Sequence, residues 1–134
     1  MGKLYLVSIG PGALDMIIPR ACEALKKCEI IIGHQLYLDL IHPLIADKKQ
    51  IANPWGKEIE RVDLAIQKTV EGNNVGLISS GDIGVYGLGG LALERLSEKN
   101  LEIDYEIIPG ITSANACASI LGAPLAHDFL TLSL

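Results

Sequence analysis

Five short apolar runs alternate with amphipathic segments along the chain, and no other feature restricts the fold as much. The runs are LYLVSI (4–9), EIIIG (29–33), a short one at Gln50-Ile51-Ala52, VGLIS (75–79) and IDYEII (103–108). The first, second and fourth are apolar at nearly every position, the pattern of strands buried on both faces. The fifth alternates, with Ile103, Tyr105 and Ile107 on one side and Asp104 and Glu106 on the other. That alternation predicts a less buried face and a place at the sheet edge.

Helical spacing fills the intervals. Ala21, Ala24, Leu25 and Cys28 recur on one face of 19–28, with Pro19 in the first turn and Lys26 and Lys27 in the last. Residues 34–45 are expected to be one helix with Leu36, Leu40, Ile41 and Leu44 inward. Residues 57–71 are expected to bury Val62, Ala65, Ile66 and Val70, leaving Glu58, Glu60 and Arg61 on a solvated face. Helices are also expected over 88–98 and SANACASIL (113–121), the latter stopped by Gly122 and Pro124. A strand–helix unit repeated in this way gives an α/β fold, a parallel sheet with right-handed crossovers.

Composition narrows the function. The 134 residues fit one domain, and with 49% hydrophobic but only 4% aromatic residues the core must be aliphatic. A net charge of −5 argues against nucleic acid as a partner, which needs basic patches. No apolar run reaches the ~18–20 residues of a membrane span, and the start, MGKLYLVSIG, lacks a secretory leader pattern. Cys22, Cys28 and Cys117 have no CxxC spacing, so neither a disulfide framework nor a metal site is expected; they read as semi-buried residues of a cytoplasmic protein. The apolar end, HDFLTLSL (127–134), reads as the approach to a further domain, or alternatively as a last strand tucking into this one.

Three strands run into glycine loops: GPG (10–12), SGDIG (80–84) and PGITS (109–113). Ligands of open parallel sheets bind beyond the C-terminal strand ends, so these loops converge on one site. The first is not a dinucleotide fingerprint, because Asp15 stands at the third glycine position, and no Gly-Lys-Ser/Thr triplet exists for a nucleotide-phosphate loop. Asp82 would repel a phosphate. A carboxylate beside open backbone suits a ligand with hydroxyl and ammonium donors, such as a sulfonium cofactor with a ribose and an amino-acid tail. The alternative is a set of tight turns with Asp82 as a helix N-cap.

In order and spacing, LVSIGPG (6–12), SSGDIGVYG (79–87) and IIPGITSANACASILGAPLAHDF (107–129) resemble the tetrapyrrole methylase superfamily over the whole chain. IIGHQLYLDLI (31–41), GKEIERVDLAI (56–66) and LGAPLAHDF (121–129) are most similar to its precorrin-3B C17-methyltransferase branch. The resemblance implies a five-stranded parallel sheet of order 3-2-4-1-5 with helices on both faces. It also implies S-adenosylmethionine (SAM) as cofactor and a role in cobalamin biosynthesis. The implied reaction is methylation at C17 of precorrin-3B or cobalt-precorrin-3 with ring contraction, by a homodimer. Residues 1–134 correspond to the family's N-terminal domain, its second domain being absent from this chain. Family cofactor positions match Pro11, Ser80, Gly81, Asp82, Val85, Thr112 and Ser113. The chain departs from the family pattern at Ala13-Leu14 in the first loop and at Ile83 in the second.

Because the cofactor brings the activated methyl group, no nucleophilic triad is expected. Asp82, Tyr86 and His127 (beside Asp128) are the catalytic candidates, and Arg61 is a candidate for substrate carboxylates. His34 and His42 read as exposed helix residues. The competing readings are another tetrapyrrole methylase, of precorrin-4 or diphthine synthase type, and a catalytically inert cofactor-binding domain.

Overall fold

Leu4, Leu6 and Val7 need apolar partners on both sides, and the sheet places their strand where it has them. Strand β1 (Lys3–Ser8) lies between β4 (Val75–Ser79) and β5 (Asp104–Ile108). Beyond β4 come β2 (Ile30–Gly33) and, at the other edge, β3 (Lys49–Ala52). Every pairing is parallel, and the order is 3-2-4-1-5, as expected. The structure, a computed structural model, describes residues 1–133.

Side-chain alternation splits the core into two layers. Tyr5, Val7, Ile31 and Ile78 meet Ala21, Ala24 and Leu25 of α1 (Pro19–Lys27) on one face. Leu4, Leu6, Ile32 and Leu77 meet Val62, Ala65 and Ile66 of α4 (Glu58–Val70), and Ala92 and Leu96 of α5 (Gly89–Glu98), on the other. Each fully buried Leu or Ile contributes about 1.5–3 kcal/mol relative to exposure, so the two layers fix the sheet between its helices.

Several expected faces are shifted. Residues 34–45 are not one helix. They form α2 (Gln35–Leu40) and α3 (His42–Ile45), broken at Ile41 (φ −106°, ψ 11°). Pro43 cannot donate a helical hydrogen bond, which accounts for the break. The break turns Leu38, Ile41 and Ile45 inward and leaves Leu36 and Leu40 exposed. In α4 the buried residue of the last turn is Thr69, whose Oγ1 donates to the Ala65 carbonyl, and Val70 is exposed. Strand β5 is an edge as expected, but its Tyr105 and Ile107 side is the exposed one. Glu106 turns toward α1, where Arg20 donates to it at 2.7 Å.

Helix α6 (Ser113–Leu121) ends at Gly122 in the left-handed conformation (φ 63°) and buries only Ala116. Residues 122–133 contain no strand and are exposed, against the alternative reading of a tucked-in last strand; Leu134 lies outside the described residues. No helix among the described residues is long and apolar enough to cross a membrane.

The cysteines differ from one another. Cys28 is buried, its Sγ donates to the Ala24 carbonyl at 3.2 Å, and burial pushes its thiol up to about 12. Cys22 is half-buried and Cys117 is exposed rather than semi-buried. We expect iodoacetamide at about pH 8 to label Cys117 first and Cys28 only after unfolding, since the thiolate is the reactive form. Mass mapping of a time course checks this. Native-state labelling of Cys28 at the rate of Cys117 would contradict the packing.

Candidate functional site

The three glycine loops leave adjacent strands, and backbone contacts fasten them into one unit. Gly10 N donates to the Gly81 carbonyl at 3.1 Å, and Gly81 N donates back to the Gly10 carbonyl at 2.7 Å. Both glycines have positive φ, which side-chain-bearing residues rarely adopt. Asp82 then joins the second loop to the third. Its Oδ1 accepts from Gly84 N at 2.8 Å and its Oδ2 from Gly110 N at 3.0 Å. Ser8 Oγ, at the end of β1, accepts from Ile83 N at 2.8 Å and draws the fully buried Ile83 beneath the loops.

Asp82 is therefore a bridge between loops and not a helix cap. The N-cap of α5 is Leu88, which makes no side-chain cap bond. Carboxylate acceptors of backbone N–H groups are among the stronger hydrogen-bonding groups in proteins. A charge in a glycine loop is used here to hold that loop against its neighbour.

Above the fastened loops lies a cavity of about 560 Å³, within the size range of small-molecule sites. Pro11, Ser80, Gly81, Asp82, Val85, Thr112 and Ser113 all line it. Thr112 also caps α6, its Oγ1 accepting from Asn115 N at 3.3 Å. Tyr86 lines the same cavity and is 67% exposed, so it is not a packing residue here. Its φ of 55° is unusual for a bulky side chain. His127 is not among the lining residues and lies exposed in the segment after α6.

The other wall was not assembled from the sequence. Tyr37, Trp55, Glu58, Arg61, Leu88 and Leu91 line it too, and Ile78, Ser79 and Gly87 complete the lining. Trp55 follows the third strand in an Asn-Pro-Trp-Gly turn, so the strand-end rule that picked out the glycine loops also reaches it. Arg61 does not sit on a solvated face but is 2% exposed. His34 is the N-cap of α2, its Nδ1 accepting from Leu36 N at 3.2 Å, rather than an exposed helix residue; His42, at the start of α3, is exposed. Arg95 of α5 forks onto Asp63 of α4, with Nε at 3.0 Å and Nη2 at 2.8 Å from its oxygens. These bonds hold the Asp63 carboxyl below the usual carboxylate range and tie together the helices that carry Arg61 and Leu91.

A sheet of this order, with three fastened loops under one cavity, defines a tetrapyrrole-methylase type of domain. The sequence profile of the Tetrapyrrole (Corrin/Porphyrin) Methylases matches residues 3–134, and the chain belongs to that family. It is 45% identical over 131 residues to a probable cobalt-factor III C(17)-methyltransferase of Salmonella typhimurium, covering 98% of this chain and 54% of that protein. The chain thus spans about half the length of that curated relative. The crystal structure of the methyltransferase CobJ superposes with a TM-score of 0.89 at 31% identity, over 97% of this chain and 55% of that one. A uroporphyrin-III C-methyl transferase from Thermus thermophilus, solved with S-adenyl homocysteine, superposes with a TM-score of 0.77 at 26% identity, over 95% and 54%.

Proposed function

We propose that this chain binds S-adenosylmethionine above its three fastened loops and belongs to an enzyme that methylates C17 of precorrin-3B or its cobalt-containing counterpart, with ring contraction. One observation carries the reading. Seven residues from three separate loops, each matching a family cofactor position, line a single cavity. The identity to a cobalt-factor III C(17)-methyltransferase and the TM-score to CobJ, above that to the uroporphyrin-III enzyme, favour the C17 branch. In this reading residues 1–134 are the enzyme's N-terminal domain, and the enzyme is a cytoplasmic homodimer that binds neither nucleic acid nor membrane.

The residues present fit the cofactor. Gly81 (φ 60°) offers backbone without a side chain, and Ser80, Thr112 and Ser113 supply hydroxyls around it. When bound, SAM supplies a methyl group activated as a sulfonium. The chain's part is alignment. Asp82 and the Gly10–Gly81 bridge fix the loops before the ligand arrives, so little ordering cost remains on binding. Val85 and Tyr86 stand on the cavity wall.

Calorimetric titration with SAM, S-adenosylhomocysteine (SAH) and NAD as a control tests the cofactor. Saturable binding of SAM and SAH, with none of NAD, is expected. Binding of NAD in preference to both would remove the methylase reading of the site.

A further inference from the structure

The second glycine loop holds one residue in a conformation that its own packing does not explain. Tyr86 has a φ of 55° and is 67% exposed. A bulky side chain is strained in the left-handed region, and such strain persists only where the surroundings impose it. Here they do. Asp82 Oδ1 accepts from Gly84 N at 2.8 Å, and the Asp82 carbonyl accepts from Val85 N at 3.0 Å, which tightens the start of the turn. Gly89 N donates to the Ile83 carbonyl at 2.9 Å and closes its end. Gly87 lies so close that a Cβ there would sit 2.5 Å from the same carbonyl oxygen. Ile83 is fully buried and fixes that oxygen in turn.

No aromatic contact within the fold accounts for the ring. Among the described residues Tyr86 takes part in no aromatic pair and no cation–π contact. It lines the cavity together with Gly81, Asp82 and Val85 of its own loop. Two other aromatic residues line it, but Tyr37 and Trp55 pack edge-on against each other at 5.7 Å, and Trp55 stacks on His34 at 4.0 Å. Tyr86 is thus the aromatic residue carried by a cofactor loop, and its face is uncommitted.

The lining holds two carboxylates, and both are engaged. Asp82 receives backbone N–H groups on both oxygens. Glu58, on the other wall with Arg61, accepts from Gly56 N at 3.1 Å. A sulfonium is a cation with no N–H to donate, like a quaternary ammonium, and aromatic faces are the usual protein partners of such cations.

We infer that Tyr86 is a cofactor-specificity residue: the strained turn presents its ring to the sulfonium of SAM, whose charge the π face stabilises. The inference rests on the proposal that the three loops bind SAM. It divides the work of the second loop, with Asp82 fastening it and Tyr86 recognising the cation.

SAM and its uncharged thioether product SAH are the probes, titrated calorimetrically into the wild type and three variants. Tyr86→Leu keeps an apolar side chain without a π face. It should weaken SAM about five- to tenfold, the scale of one cation–π contact shielded from water, and SAH by less than about twofold. Tyr86→Phe keeps the face and should bind both ligands within about twofold of wild type. Tyr86→Gly also lacks the ring but relieves the strain, so it should melt about 3 °C above Tyr86→Leu. A ring that merely packs the loop would weaken SAM and SAH alike, so the ratio of the two affinities separates recognition from scaffolding. Equal effects on SAM and SAH in Tyr86→Leu, or no effect on either, would overturn the inference and leave the cofactor reading standing. So would a selective loss of SAM in Tyr86→Phe, which would assign the discrimination to the hydroxyl. A Tyr86→Gly chain that melts no higher than Tyr86→Leu would overturn the strained presentation of the ring. A wild type that binds neither ligand would remove the cofactor reading and this inference with it.

Discussion

Gly110→Ala is expected to destabilise the chain by about 3 kcal/mol, at the upper end of overpacking costs, and to abolish SAH binding. A Cβ at this position would sit 2.4 Å from the Gly81 carbonyl oxygen and 2.6 Å from Ser8 Cβ. Neither neighbour can swing aside. The Gly81 carbonyl accepts from Gly10 N, and the Ser8 hydroxyl accepts from Ile83 N. Moving either one loosens the link between β1, β4 and β5. The site and the fold share these atoms, so both should fail together. Gly90→Ala is the matched control, because a Cβ there meets nothing within 4 Å and the residue lies in helix α5. Helix propensity makes that change neutral or stabilising by up to about 1 kcal/mol. Urea denaturation followed by circular dichroism compares the two. A Gly110→Ala chain within about 0.5 kcal/mol of wild type that still binds SAH would show that the close approach is not needed.

The same contrast between backbone and side-chain information explains what could be read from the sequence. Strand positions and the edge place of β5 were legible because burial on two faces leaves a continuous apolar run in Leu4–Ile9 and Val75–Ile78, while an edge strand shows alternation; the full order was implied by the family resemblance. The loops were legible because glycine marks positions where backbone must approach backbone. Helix faces were less so. One break at Ile41 is enough to exchange Leu36 and Leu40 for Leu38 and Ile45, and helical periodicity does not announce a break. Arg61 was read as solvated because its neighbours Glu58 and Glu60 are charged. Its burial depends on the carbonyls of Asn53 and Pro54, which no side-chain pattern reports. The function of Asp82 was hidden in the same way, since both its partners are backbone amides of glycines.

Asp82→Asn separates the two ways a carboxylate can serve this site. An amide offers one oxygen where the carboxylate offers two. In the variant either Gly84 N or Gly110 N must face an NH2 group, donor against donor. With charge-assisted bonds worth about 1.5–3 kcal/mol and the site half-buried, a loss of about 2 kcal/mol in stability is expected. The loop unit then has to be ordered when the ligand binds, so affinity should fall about tenfold or more. If Asp82 acts by fastening the loops, SAM and SAH lose affinity equally, because the fastening does not distinguish a sulfonium from a thioether. If instead its charge attracts the cationic sulfur, SAM loses far more than SAH and stability hardly changes. Both carboxylate oxygens already receive backbone N–H groups, and the equal loss is therefore the expected result. Paired titrations of the two ligands into wild type and Asp82→Asn, with melting curves of both chains, decide between them. A selective loss of SAM at unchanged stability would assign Asp82 to the cofactor directly and leave the Gly10–Gly81 bridge as the main bond between the loops.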